Sequence, residues 1–487
     1  MIRSAAAAES SAGQQTPAMA DVGAAMPTVL RDQPKPLKQG QPAVPPSGAP
    51  AALPLSPADL PQAQAPAAVT ACTSGSGALI NPKFETASGS QAAGWCDVFG
   101  RGYTRVRLTP AKYNFVAKLT IPTGLPHAQR LSAAQQTVLL NQTRADNLFI
   151  GAMLKGNSIV PDGAWMGAML DVSFHVNCSA YPAFCQPPHS DGVVECQTLP
   201  SVGTFDWRWI GLDSHTCGVG YVDASGHWRD VPIKSVDVMV LLGYGTGTAW
   251  FDLVQLIQFP PRPAAVTFMF DDGNKSTVTQ AKPILAKYGF VGSAAIVKNY
   301  VNGAGLLTAQ DLRNLQNAGW DIASHGVNHD DMTKLSNAAA KADLINSKSY
   351  LQSLGLTVDT YAWPFGAHDQ RVIGLAQPVY ASTRTVESDD NARGTFPYTV
   401  KVLSLYNTTT LANVRAWVRD LKDNPNCVTN CNGRWGVFLA HNITPNPGTY
   451  DSTPAFLDAL ANEVKKSGIE VVNYRTGRQR FANVPRP

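Results

Sequence analysis

From position 264 to the end of the chain, short apolar runs alternate with helical stretches, and no other pattern in the sequence restricts the fold as strongly. The apolar runs cover 266–270, 292–297, 320–324, 360–363, 379–383, 400–405, 436–440 and 469–473, with helical stretches over 277–288, 308–318, 337–354 and 453–466. A strand that is apolar on both faces must be covered on both, and parallel neighbours need a crossover connection, usually a helix. The alternation therefore predicts an α/β domain over 264–487 whose parallel sheet is closed, or nearly closed, as a barrel.

The rest of the chain reads differently. At 487 residues the chain has room for two or three domains at ~150 residues each. Residues 1–76 are dominated by Ala, Pro, Gln, Ser and Gly. They offer too little apolar surface to offset chain entropy, so we expect a disordered tether kept extended by its prolines. Residues 77–258 break into short alternating segments, among them 103–108, 115–119, 169–176, 236–243 and 249–257, separated by Gly, Pro and Asn. That texture predicts an all-β sandwich. The proline-rich 259–263 would be a stiff linker, giving a multidomain chain of tether, sandwich, linker and barrel.

A balance of 39 basic and 35 acidic residues leaves a net charge of +4 without a long basic run. Nothing in it calls for nucleic acid or an anionic membrane. No apolar stretch reaches the ~18 residues of a membrane span. The eight cysteines form no Cys-x-x-Cys pair, which argues against zinc ribbons and redox motifs and for disulfides in an exported protein. Sequence neighbours suggest Cys72 with Cys96, Cys178 with Cys185, Cys196 with Cys217 and Cys427 with Cys431, although connectivity cannot be deduced. A secreted or periplasmic location is expected. The stretch 1–8 nevertheless has only Arg3 and an alanine run, with no leucine-rich signal core.

Several apolar runs end in chemically loaded residues. The first is followed by Asp271-Asp272-Gly273, another by His325-Gly326-Val327-Asn328-His329, a third by Pro364-Phe365-Gly366, and a fourth by His441. In strand–helix barrels the C-terminal strand ends face the active site. Asp-Asp-Gly alone is also ordinary turn punctuation. Two imidazoles four residues apart can reach one ion from a helical turn or a tight loop. Gly326 stands where a His-Glu-x-x-His motif carries its base, so the base must come from elsewhere.

Taken in order, Phe-Asp-Asp-Gly, His-x-x-x-His, Pro-Phe-Gly and Leu-x-His resemble the NodB-type polysaccharide deacetylases, carbohydrate esterase family four, across about 264–483. The resemblance implies a distorted (β/α) barrel of the polysaccharide deacetylase type. It also implies a divalent ion on Asp272, His325 and His329, zinc (Zn2+) first and Co2+ or Ni2+ next. Asp271 would be the general base and His441 the general acid, with a backbone N–H near Phe365 stabilising the oxyanion. Trp363 and Gly366 belong to the same expected substrate wall, although Trp363 can equally pack the barrel mouth. The implied reaction removes N-acetyl groups from an amino-sugar polysaccharide such as poly-N-acetylglucosamine, a chitin-like polymer or peptidoglycan glycan. Two alternatives are O-acetyl ester hydrolysis on acetylxylan and an inert barrel beside a carbohydrate-binding sandwich.

Two departures stand out. Many family members read Arg-Pro-Pro-Tyr-Gly where this chain has Ala362-Trp363-Pro364-Phe365-Gly366, so the arginine that orients the base is replaced by Ala362. Arg384 or Lys401, from another strand, is expected to substitute. The usual Asp-x-x-Asp-Trp motif is not visible, and Glu387, Asp389 and Asp390 are unplaced acids. His368 and Asp369 read as a solvated loop, and Asp330 and Asp331 as caps.

In the sandwich, Asn81-Pro82-Lys83-Phe84-Glu85 with Gly94-Trp95, and Gly247-Thr248-Ala249-Trp250-Phe251-Asp252, resemble the first and last strands of jelly-roll carbohydrate-binding modules. That likeness implies a structural calcium (Ca2+) near Glu85 and Asp252. Trp207 and Trp209 read as core and Trp228 as the better sugar platform, while His127, His175, His189 and His215 read as structural. Oligomeric state is not legible.

Overall fold

The computed structural model describes residues 72–108, 114–163, 166–260, 262–422 and 433–487. The expected tether up to residue 71 and the Cys427–Cys431 staple lie outside them.

Two five-stranded sheets make the first domain. One runs Thr73–Ser74, Leu131–Leu139, Ile233–Gly243, Gly167–Val176, Val193–Gln197, and the other Gly203–Asp213, Asn147–Pro161, Gly245–Phe259, Phe115–Ile121, Thr104–Arg107. All neighbours are antiparallel except the first pair, where Thr73 and Ser74 lie beside Thr137 and Val138. Residues 73 and 74, grouped with the tether on composition, thus belong to this sheet. Val138, Val238, Leu170 and Phe174 of one sheet share a core with Leu119, Ile150, Leu154 and Phe251 of the other. Disulfides join Cys72 to Cys96, Cys178 to Cys185 and Cys196 to Cys217.

The strand Asn147–Pro161 has both faces covered. Side chains alternate across a strand, so Leu148, Ile150, Ala152 and Leu154 enter the sandwich core, while Phe149 and Met153 point the other way into a cluster shared with the second domain. Trp209, on the next strand, joins them. Its ring lies 5.7 Å from Phe149, 5.1 Å from Phe396 and 6.3 Å from Tyr398. Its backbone N–H donates to Gln377 Oε1 at 2.9 Å, and Gln377 Nε2 donates back to the Trp209 carbonyl. The two domains are therefore docked through buried aromatic surface.

The second domain is a seven-stranded parallel barrel. In ring order its strands are Ala265–Phe270, Ser293–Ile296, Asp321–Ser324, Thr360–Ala362, Ser382–Ser388, Val400–Ser404 and Trp435–Ala440, which pairs back to the first. Every residue of the first strand is buried, as its unbroken apolar run requires. The short Glu470–Val471 pairs with the start of the first strand outside the ring. The fifth strand, expected over 379–383, begins instead at Ser382, because Val379 and Tyr380 still close the preceding helix by bonding back to the Ala376 carbonyl. Helix starts follow capping chemistry: Thr308 and Asp311 form a capping box, and Thr453 caps Pro454–Ser467, whose C-cap Gly468 takes φ 71°. No described helix is long and apolar enough to cross a membrane.

Candidate active site and metal centre

Where the first barrel strand ends, the chain turns sharply. Asp272 takes φ 70° and Gly273 φ 77°, a left-handed region that Asp tolerates better than most residues. The turn separates the two carboxylates: the Asp271 side chain is 2% exposed, that of Asp272 27%.

His325 follows the third strand, and its N–H extends the ladder to the Ile296 carbonyl at 2.8 Å. The loop beyond it is held by Asp343, from the helix Asn337–Ser353, which accepts from the Val327 N–H at 2.8 Å and the Tyr361 hydroxyl at 3.0 Å. A side chain at Gly326 would meet that hydroxyl at 3.1 Å. His329 takes φ 65° and Phe365 φ 58°. Left-handed non-glycine residues cost about 1–3 kcal/mol each, and they gather at functional sites. The His329 ring lies 4.7 Å from that of His325 and 4.5 Å from that of Phe365.

Asp272 Oδ1 lies 3.7 Å from His325 Nε2 and 3.7 Å from His329 Nε2, and all three donor atoms fall within 4.8 Å of one another. Ligands bound tetrahedrally at ~2.1 Å sit about 3.4 Å apart, so this set fits one small divalent ion. Two further observations support the fit. The Asp272 Oδ1 atom is buried with no hydrogen-bond partner among the described residues. His325 Nδ1–H donates to the Ala362 carbonyl at 2.8 Å, leaving the Nε2 lone pair toward Asp272, the tautomer a metal ligand needs. Burial pushes the His325 imidazole down to about 4 against the opposing pull of Asp271, and lowers His329 as well. Both rings are thus neutral near pH 7, with lone pairs available.

Asp271 differs from its neighbour. Burial alone would raise its pKa, but Arg384, His325 and His441 together hold it below the usual carboxylate range. Arg384 Nη2 donates to Asp271 Oδ2 in a short, fully buried contact. Ala362 and Arg384 are direct register partners on the fourth and fifth strands. The guanidinium missing at Ala362 therefore arrives from one strand over. Lys401 does not play this part, since its ammonium faces Asp389 at 3.5 Å.

A second cluster of similar composition lies between the domains. His215 Nδ1 is 2.8 Å from Asp230 Oδ1 and its Nε2 2.8 Å from Asp390 Oδ1, while Arg434 reaches Asp390 at 3.0 Å and Asp230 at 3.2 Å. Burial opposes ionisation of Asp230, but His215 and Arg434 hold its pKa far down. Asp389 and Asp390 are thus placed in an interdomain ion-pair network and Glu387 beside His368, at 3.6 Å. Asp331 caps a short helical turn through the Thr333 N–H.

Several expectations are corrected. Trp363 is fully buried and packs on Tyr361 at 5.0 Å, so it supports the barrel mouth and cannot form a substrate wall. Phe365, 58% exposed, presents the surface instead. Gly366 takes φ 68°, and a Cβ there would lie 2.3 Å from Val386, which explains glycine at this turn. Trp228 is buried and donates to Asp230, so it is no sugar platform; Trp209 is core, as its strand face suggests. His368 is not a solvated loop residue, because its side chain is 4% exposed and its Nδ1 meets the Gly366 carbonyl at 2.7 Å. His441 follows the seventh strand, half-buried, with its ring 5.7 Å from Tyr450. The Asp252 carboxyl is pushed up to about 7, by burial first and partly by Glu85. Asp343 went unremarked in the sequence, where it is one more polar helix residue.

Residues 259–379 match the family model described as Polysaccharide deacetylase. That match spans the first four barrel strands and takes in Asp271, Asp272, His325 and His329. A curated relative, the putative polysaccharide deacetylase YxkH of Bacillus subtilis (strain 168), is 22% identical over 118 residues, which is 24% of this chain and 42% of that protein. The chain therefore matches less than half the length of that relative. Among solved structures, a family 4 acetyl xylan esterase from Clostridium thermocellum with cobalt is 19% identical, covering 44% of this chain and 90% of that one at a TM-score of 0.33. A family 4 carbohydrate esterase from Streptomyces lividans with acetate is 16% identical, with coverages of 43% and 91% and a TM-score of 0.30. A family 4 pseudoenzyme from Bacillus anthracis is 14% identical, with coverages of 44% and 66% and a TM-score of 0.31.

Proposed function

We propose that this chain is a secreted or periplasmic, metal-dependent hydrolase that removes N-acetyl groups from an amino-sugar polysaccharide. The observation that carries this reading is the convergence of Asp272 Oδ1, His325 Nε2 and His329 Nε2 beside a separate, Arg384-paired carboxylate, Asp271. A divalent ion on the first three residues supplies Lewis acidity, polarising the acetyl carbonyl and lowering the pKa of bound water.

The protein residues carry the protons. Asp271, kept ionised by Arg384, accepts a proton from the attacking water as its oxygen bonds to the acetyl carbon. The exposed turn at Phe365 offers a backbone N–H to the oxyanion that develops, while the Gly366 N–H closes the turn on the Trp363 carbonyl at 2.9 Å. His441 donates a proton to the departing sugar nitrogen as the carbon–nitrogen bond breaks, giving acetate and a free amine. Two adjacent aspartates can divide the work because one faces a cationic site and the other a fixed guanidinium.

The test is acetate release from poly-N-acetylglucosamine, chitin oligomers, peptidoglycan and acetylxylan, before and after chelation and with zinc, cobalt or nickel restored. Amine formation on an amino sugar that chelation abolishes and metal restores is the expected result. Release from acetylxylan alone would replace the reading with an O-acetyl esterase. No acetate from any substrate with any metal would leave an inert barrel. The calcium proposed at Asp252 and Glu85 is tested separately, by a calcium-dependent rise in the thermal midpoint.

A further inference from the structure

Among the described residues only two aromatic rings of phenylalanine, tyrosine or tryptophan are exposed, Phe365 at 58% and Tyr450 at 59%. Both border the candidate active site. The Phe365 ring lies 4.5 Å from that of His329, and the Tyr450 ring 5.7 Å from that of His441. Phe365 follows the fourth barrel strand, and Tyr450 is tied to the end of the seventh, where the His441 N–H donates to its carbonyl at 3.3 Å. Those strands are three places apart in a ring of seven, as far as such a ring permits. The two rings therefore stand on different sides of the barrel mouth.

Tyr450 is not the tip of a loose loop. The Asp451 carboxylate beside it accepts from the Asn442 N–H at 3.1 Å and the Gly448 N–H at 3.0 Å. The Ser452 N–H donates to the Asn442 carbonyl, and the Thr444 N–H to the Ser452 carbonyl, both at 3.0 Å. The segment is thus closed on itself directly beyond the seventh strand. It is also backed from the sixth strand's side, where the half-buried Tyr406 ring lies 5.8 Å from Tyr450 and the Asn407 N–H donates to the Thr449 carbonyl at 3.0 Å. A large ring held in this way, yet mostly in water, gains by being covered and has little conformational freedom left to lose. Those are the properties of a preorganised stacking surface.

The chemistry of the site names what covers it. His441 protonates the departing sugar nitrogen, so the sugar that carries this nitrogen, or its neighbour in the polymer, occupies the space that the Tyr450 ring borders. The C–H face of a sugar ring is apolar and suits an aromatic face, whereas a small acetyl ester has no second ring to place there. We infer that Tyr450 is a stacking platform for a sugar of the polysaccharide, and so a residue that selects polymer over small acetylated molecules. The inference rests on the deacetylase reading for the placement of the sugar, while binding at the ring is measurable without turnover.

The experiment uses the full chain with zinc, as the natural protein, Tyr450→Ala and Tyr450→Phe, with thermal midpoints as the folding control. N-acetylglucosamine hexasaccharides, β-1,4- and β-1,6-linked, are titrated by calorimetry in an Asp271→Asn background that slows turnover. In the parent background kcat and KM are read from acetate release, with methylumbelliferyl acetate as the small substrate. Tyr450→Ala is expected to raise Kd and KM for at least one hexasaccharide by about three- to tenfold, with kcat and the small ester unchanged, and Tyr450→Phe to behave as the natural protein. An equal loss of kcat on hexasaccharide and ester would make Tyr450 a support for His441 and overturn the platform. So would binding of neither hexasaccharide, or an unchanged Kd for both in Tyr450→Ala. Weaker binding in Tyr450→Ala without acetate release from any variant keeps the platform and rejects the deacetylase. Acetate release with binding unaffected rejects the platform and keeps the deacetylase.

Discussion

Two clusters among the described residues combine histidine with paired aspartates, and they differ in how far neighbouring groups already occupy their ligand atoms. At the barrel mouth, Asp272, His325 and His329 converge with lone pairs to spare, because His325 spends Nδ1 on the Ala362 carbonyl and Asp272 Oδ1 has no hydrogen bond among the described residues. At the domain interface, His215 spends both ring nitrogens on Asp230 and Asp390. Arg434 and Lys401 supply further positive charge to Asp230, Asp389 and Asp390. The donor atoms of His215, Asp389 and Asp390 are as close as those of the first set, yet the cations already present compete with an ion for every carboxylate. Both imidazole nitrogens of His215 are engaged with carboxylates at 2.8 Å, so neither is turned toward an open ligand position. Proximity of ligand types is thus not enough. What matters is which lone pairs the surroundings leave unspent.

The comparison can be broken most sharply at its metal-binding side. His325→Ala is expected to lose the bound ion and essentially all acetate release, read by elemental analysis of the purified protein alongside the activity assay. An active, metal-loaded variant would remove the distinction between the clusters. Asp271→Asn should keep its metal while turnover falls by about 10²–10⁴, the usual contribution of general base catalysis. Metal loss in that variant would mean that Asp271 is a ligand.

A smaller effect concerns Arg384. In the folded protein the Asp271 pKa is depressed, so the base is ionised above its folded value and is lost as pH falls through it. In Arg384→Gln the burial that raises the pKa goes unopposed by its main cation, and the acidic limb of kcat/KM against pH should move up by ~1–3 units. An unmoved limb would show that the guanidinium does not tune the base. Smallest for catalysis is His215→Leu, expected to leave metal content unchanged. Its cost is stability, about 3–5 kcal/mol for breaking a buried ion network, measured by denaturant unfolding. A drop in metal content on that substitution would place an ion at the interface after all.

Much of the barrel was legible because its signals are local. Unbroken apolar runs such as 266–270 can only be buried strands, and the residues that follow them fall at the strand ends by connectivity alone. That placed Asp271, Asp272, His325, His329 and His441 near one another before any coordinates. The register of neighbouring strands is not local, and it decides what lies beside Asp271: Arg384 occupies the place across from Ala362, a pairing that no periodicity contains. The aromatic residues illustrate the same limit. An isolated tryptophan reads alike as platform or core, and only the docking of the domains buries Trp228 beside the His215 network and Trp209 against Phe396.

The sequence by itself determined the parallel barrel, the separate β-sheet domain and the residues at the strand ends, because periodicity and chain connectivity act over short distances. Tertiary structure alone decided the partner of Asp271, the saturation of the second cluster and the placement of Phe365 and Tyr450 on different sides of the barrel mouth. Each depends on charges and surfaces brought together from distant positions, where the balance of burial against pairing sets which groups remain available for chemistry.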